Sequence, residues 1–217
     1  MERFTSFDFG LSALTALFHQ DWIHLGGVEE VVLAHLSVGE ASIADEAQQK
    51  EAAALERDVA VLAGSTLRDG QIEVLFSTAT AGNYSFQGGE TGRSLLERIH
   101  STCRQWQQEY GAIPAESSPK WSSSDSMAAV RSIIGDTPMC FPDEYLRCCG
   151  SPVDELRSAL DACAQSASAE LAFRLLLRIH LANFIPVAES SWARYRMTAA
   201  ELSLGEELLS SLDFLVN

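Results

Sequence analysis

Helical periodicity along most of the chain, few alternating apolar and polar runs, and repeated helix start and stop signals together predict an all-α protein. The arrangement expected is a helical bundle of two packed subdomains, residues 1–112 and 125–217, with a linker over 113–124. With 217 residues and 47% hydrophobic content, the chain can bury a substantial core and is not disordered overall.

Taken in order, Leu11, Leu14, Phe18, Trp22 and Leu25 make one apolar stripe at roughly 100° per residue, which predicts a first helix from Leu11 to His24. On that wheel Asp21 lies about 50° from the stripe's centre. A buried carboxylate needs compensation, so Asp21 is expected to be structural, held by backbone donors or an arginine. His19 and His24 flank the stripe and should face water. A second helix is expected from Val28 to about Val38, stopped by Gly39. An alanine-rich third should run from Ser42 to Ala63, with Ile43, Ala47, Leu55, Val59 and Leu62 inward and Gly64 as its stop.

Asp69 caps a fourth helix through Ala79. The run Gly82-Asn83-Tyr84-Ser85-Phe86-Gln87-Gly88-Gly89 lacks phosphate-cradle spacing and reads as a loop with two aromatic anchors. Thr91 to about Gln108 completes the first half, and the Pro/Ser/Gly-rich stretch that follows, with Trp121 as a docking residue, marks the boundary. Beyond it, Asp125 caps a helix to Ile134, Pro142-Asp143-Glu144 opens one ending near Cys149-Gly150, and Ser151-Pro152-Val153-Asp154 starts one to Gln165. Another runs from Ala169 to Ile185, closed by Pro186, and Thr198-Ala199-Ala200-Glu201 is a capping box for a last helix to Leu215. Trp192-Ala193-Arg194-Tyr195-Arg196 reads as a loop whose aromatics pin it to the core while its arginines pair with local acids.

Charge narrows the functional classes. The net charge is −15, with 7 basic against 16 acidic residues in 1–112 and 8 against 14 in 113–217. Nucleic acid and anionic membranes would be repelled, so a basic protein partner fits better. No stretch approaches a membrane span and no secretory leader pattern follows Met1-Glu2-Arg3, which points to the cytoplasm. Cys103, Cys140, Cys148, Cys149 and Cys163 are odd in number and lack zinc spacing, so reduced thiols are expected, with Cys163 a buried small side chain. His19, Asp21 and His24 form H-x-D-x-x-H, but that spacing splays them around a helix, so neither a metal nor another cofactor is expected. His35, His100 and His180 lie inside expected helices without a nucleophile elbow nearby.

The motif Phe18-His19-Gln20-Asp21-Trp22, the Gly26-Gly27 break and the helix start Val28-Glu29-Glu30-Val31-Val32 resemble the CdiI-type immunity proteins of bacterial contact-dependent growth inhibition. The resemblance continues more loosely through Asp69-Gly70-Gln71-Ile72-Glu73 to Leu95-Leu96-Glu97-Arg98-Ile99 and Trp106. It covers roughly the first half and assigns no role to the second. It implies a small cytoplasmic protein, not an enzyme, that neutralises a toxic C-terminal domain, often a nuclease, by occluding its active or substrate-binding site. A 1:1 complex and a free monomer are expected. The exposed acids Glu29, Glu30, Glu40, Asp45, Glu46, Glu51, Asp69 and Glu73 would then meet a cationic toxin surface, and the Phe18 to Trp22 motif would be mainly structural. A helical scaffold or adaptor without a toxin partner is the alternative; a hydrolase using His19, Asp21 and His24 is another.

Overall fold

The computed structural model describes residues 8–37, 44–111, 124–139, 141 and 153–217. Glu40, Gly39, Ile43, Trp121, Cys140, Cys148, Cys149, almost all of the linker, the helix expected from Pro142 and the Ser151-Pro152 start lie outside these residues. Among the described residues the chain is all-α, with ten α-helices and no strand. They are α1 (Gly10–Ala16), α2 (Val28–His35), α3 (Glu46–Ala63), α4 (Asp69–Ala79), α5 (Gly92–Tyr110), α6 (Ser124–Asp136), α7 (Val153–Ser166), α8 (Ala169–Ala182), α9 (Glu189–Glu201) and α10 (Glu206–Ser210). None of the described helices is long and apolar enough to cross a membrane.

The longest helices, α3 and α5, pack side by side and run antiparallel. Arg93 at the start of α5 donates to the carbonyl of Ala63, an acceptor that the end of α3 leaves open, and to those of Ser65 and Leu67 in the link to α4. Asp45 caps α3 by accepting from Gln48 N at 2.9 Å while Gln48 Oε1 accepts from Asp45 N at 2.8 Å, and Thr91 caps α5. α2 lies on α5, and α1 lies on α3 and α8. α4 packs against α5 on one side and against α7 and α8 on the other, so a single apolar cluster reaches from Phe9 to Leu215. The two halves share this core. Gly92 makes the α4–α5 approach possible, since a Cβ there would lie 2.6 Å from Ile72 Cβ and 2.8 Å from Asp69 O.

Several expectations are corrected. The first helix stops at Ala16: the amides of Leu17 and Phe18 bond back three residues, the chain turns, and a separate 3₁₀ turn follows at Trp22–Leu25. The Phe18 and Trp22 rings still meet, because a turn plus 3₁₀ geometry brings the pair together as well as a helix would. The C-terminal helix expected from Thr198 does not start there, because Thr198 is buried within α9, whose beginning at Glu189 turns the supposed loop 192–196 into helix. Past Leu202 the chain breaks at Ser203, with φ +55°, and resumes as α10 and a 3₁₀ turn at Asp213–Leu215. Finally, Ala47 is exposed and Asp58 takes an inward position on α3 beside Leu55, Val59 and Leu62. The preceding helix α8 also ends three residues before Ile185, at Asn183 and a left-handed Phe184 (φ +51°).

Candidate surface around the Trp22 turn

Two side chains of the motif face inward and three face outward. The buried Phe18 ring meets Trp22, Phe76 and Tyr84 edge-on at 5.1–5.3 Å, and Tyr84 extends the cluster to Phe86. Trp22 donates its indole N–H to Asn83 O at 2.8 Å, which staples the turn to the 80–90 loop. That loop does carry two aromatic anchors. His19, Gln20 and Asp21 are exposed, as is His24. Asp21 is therefore not the buried structural carboxylate expected of it: once the helix ends at Ala16 the wheel no longer applies, and among the described residues only its backbone is engaged, with His19 Nδ1 and His24 N.

The same turn carries apolar side chains into solvent. Ile23 is 61% exposed and Leu25 46%, and the adjoining α2 adds Leu33 at 46%. Val28, Val31 and Val32 bury the opposite face of α2, leaving Glu30, Leu33 and Ala34 outward at helical spacing. Glu30 also caps the helix, accepting from Gly27 N at 2.7 Å. Residues 21–34 thus form an apolar surface edged by Asp21, Glu30 and the half-buried Glu29.

The other acidic candidates are spread out and engaged. Glu29 takes a bidentate bond from Arg98, both oxygens at 2.8 Å, which holds its carboxyl below the ordinary range. Arg98 also binds Glu90 at 2.6 Å, and Glu90 accepts from Tyr84 Oη; burial, with Glu90 beside it, pushes the phenol up. Asp69 and Glu73 accept from Arg93 N and Gly92 N at 3.1 Å each, so they seat the start of α5. Asp45 and Glu46 stand at the start of α3, beside the opposite end of α5, where Gln49 approaches Gly111. Glu46 pairs with Lys50 at 2.6 Å. Glu51 is partly buried, accepting from Gly10 N and bonding His35 Nε2, both at 2.6 Å. These acids serve separate helix starts and ion pairs within the chain, which capping and pairing chemistry explains without any partner.

The buried charge that the sequence reading places at Asp21 is at Asp58 and Arg174. Arg174 on α8 is 0% exposed; it donates to Phe9 O at 2.5 Å, Ser12 Oγ at 2.7 Å and Asp58 Oδ2 at 2.6 Å. Burial alone would lower its pKa, but Asp58, Glu170 and Asp8 outweigh that and hold it above the ordinary value. Asp58 also accepts from Leu11 N at 3.1 Å and from Arg57. Gly10 is required where α1 meets this carboxylate: its φ is +61°, and a Cβ would stand 2.3 Å from Asp58 Oδ2. Burial raises Asp8, against the pull of Arg174. An aspartate in the inward series of α3 and an arginine amid the apolar run of α8 were the available signals.

His180 and Tyr195 form a second internal polar unit. His180 Nδ1 bonds Ile185 O at 2.9 Å, which fixes that nitrogen as the donor, so Nε2 accepts from Tyr195 Oη at 3.1 Å, while Tyr195 also meets Thr137 Oγ1 at 2.8 Å. Burial lowers the imidazole and pushes the phenol up to about 12. The thiols of Cys103 and Cys163 are buried and pushed up to about 12, which makes them inert as nucleophiles. Among the described residues no group of three or more His, Cys, Asp or Glu is placed to hold a metal ion. Comparison of the chain with protein-family models, curated proteins and solved structures gives no match.

Proposed function

We propose that the chain is an immunity-type binding protein that neutralises a basic toxic domain by covering it, with the Trp22 turn and α2 as the contact surface. The observation that carries the reading is the exposure of Ile23, Leu25 and Leu33 beside Asp21 and Glu30 in the segment that contains the motif. Large apolar side chains held out by a stapled turn supply a desolvated contact centre, and the acidic edge suits a cationic partner. The −15 net charge would speed the encounter. This narrows the acidic surface expected from the sequence, since Asp45, Asp69 and Glu73 hold helix ends.

The test is protection. Cells producing the toxic domain should survive with the wild-type chain and die with Ile23→Asp/Leu33→Asp, provided the variant accumulates to the same level and keeps its circular dichroism. Equal protection by the two would remove this surface from the proposal.

A further inference from the structure

We propose that the cleft between α9 and residues 204–213 binds a free amino acid with a cationic side chain, Arg196 taking its carboxylate and Glu206 and Asp213 its two cationic groups. The cleft has a volume of about 240 Å³, which suits a molecule of amino-acid size rather than a drug-sized ligand. Trp192 and Arg196 reach it from α9, four residues apart and so on one face, while the small Ala199 and Ala200 a turn later leave it open. Glu206 and Asp213 line it from the other side.

The charges in this cleft are unused. Among the described residues Arg196, Glu206 and Asp213 make no ion pair, although opposite charges share one cleft and Arg194, two residues from Arg196, binds Asp136 at 2.9 Å. The indole N–H of Trp192 likewise has no acceptor among the described residues, while its ring is set 6.1 Å from that of the buried Tyr195. The lining sums to one negative charge, so the complementary ligand carries one positive charge. A dibasic amino acid meets each group: a carboxylate for the guanidinium fork, two cations for two carboxylates, and one of those cations near an aromatic ring. The cleft shares no residue with the Trp22 turn, so this inference stands apart from the partner-binding reading.

The test follows the Trp192 indole N–H signal of the isotopically labelled full chain, assigned by its loss in W192F, during titration with L-arginine, agmatine and L-leucine. L-Arginine should move the signal saturably in the micromolar to low-millimolar range, and L-leucine should do so at least 10-fold more weakly. Arg196→Gln should weaken L-arginine 10-fold or more and leave agmatine, which lacks the carboxylate, unchanged; Glu206→Gln/Asp213→Asn should weaken both. These residues are exposed, and unchanged circular dichroism would show that the fold is kept. Absence of a saturable shift by about 10 mM L-arginine, a free energy of under ~3 kcal/mol, would overturn the proposal. So would an equal effect of Arg196→Gln on L-arginine and agmatine.

Discussion

Replacing Arg174 by Met keeps an unbranched stem in the core and deletes the charge. Three hydrogen bonds disappear, to Phe9 O, Ser12 Oγ and Asp58 Oδ2. So does the placement of the guanidinium 4.0 Å over the Phe9 ring. Asp58 keeps the Leu11 amide and Arg57, but its main countercharge is gone from a site only 1% exposed. Removing one partner of a buried ion pair costs about 3–5 kcal/mol, most of it the desolvation of the charge left behind. Against a total stability of about 5–15 kcal/mol, that is a large share. Arg174→Met should therefore lower the urea midpoint strongly without changing the slope of the transition. Arg174→Met/Asp58→Asn should cost less than the sum of the single changes by ~1 kcal/mol or more, because the orphaned charge is removed with its partner. A loss under about 1 kcal/mol for Arg174→Met, or strict additivity, would refute the assignment of this pair as the electrostatic centre of the α1–α3–α8 junction.

Gly10→Ala should cost more than about 2 kcal/mol in the same assay, combining left-handed strain with displacement of the Asp58 carboxylate; a loss under ~0.5 kcal/mol would contradict the close approach. Asp21→Ala should change stability by less than about 0.5 kcal/mol, since its side chain is exposed, and a clear drop in the urea midpoint would show a buried role after all. His180 is held below its ordinary pKa, so the unfolded chain takes up its proton first on acidification. Its stabilising contribution is complete above about pH 6.5 and is lost as pH falls toward the folded-state pKa, at roughly 1.4 kcal/mol per unit. Thermal unfolding of wild type and His180→Gln between pH 7.5 and 5 should show this slope only in the wild type, and parallel profiles would refute it.

The helices were legible where periodicity and caps agree. α3 stops at Gly64 and α4 at Ala79, α5 begins directly after Thr91, and Leu55, Val59 and Leu62 face inward. Legibility failed where one pattern suits two geometries. The spacing of Phe18 and Trp22 fits a helix and equally a turn followed by 3₁₀ structure, and choosing the helix put Asp21 in the core. Thr198 to Glu201 has the residue types of a capping box, but a helix already under way from Glu189 needs no cap there. The Arg174–Asp58 pair joins residues 116 apart in sequence, and nothing local announces such a partner. The resemblance rests on the segment that also carries the surface proposal. It did not separate the two residues that anchor the motif, Phe18 and Trp22, from those that face solvent.

The most direct test of the proposed partner surface is the association kinetics of a basic toxic domain against which the chain protects, with the wild-type chain and with Ile23→Asp/Leu33→Asp, across a salt series. The wild-type on-rate should fall steeply as added salt shortens screening to about 8–10 Å and below, with a smaller change in dissociation. The variant should lose at least 100-fold in affinity, about 2.7 kcal/mol, with its fold intact. A salt-independent on-rate, or a folded variant that binds as tightly as wild type, would contradict the proposed surface.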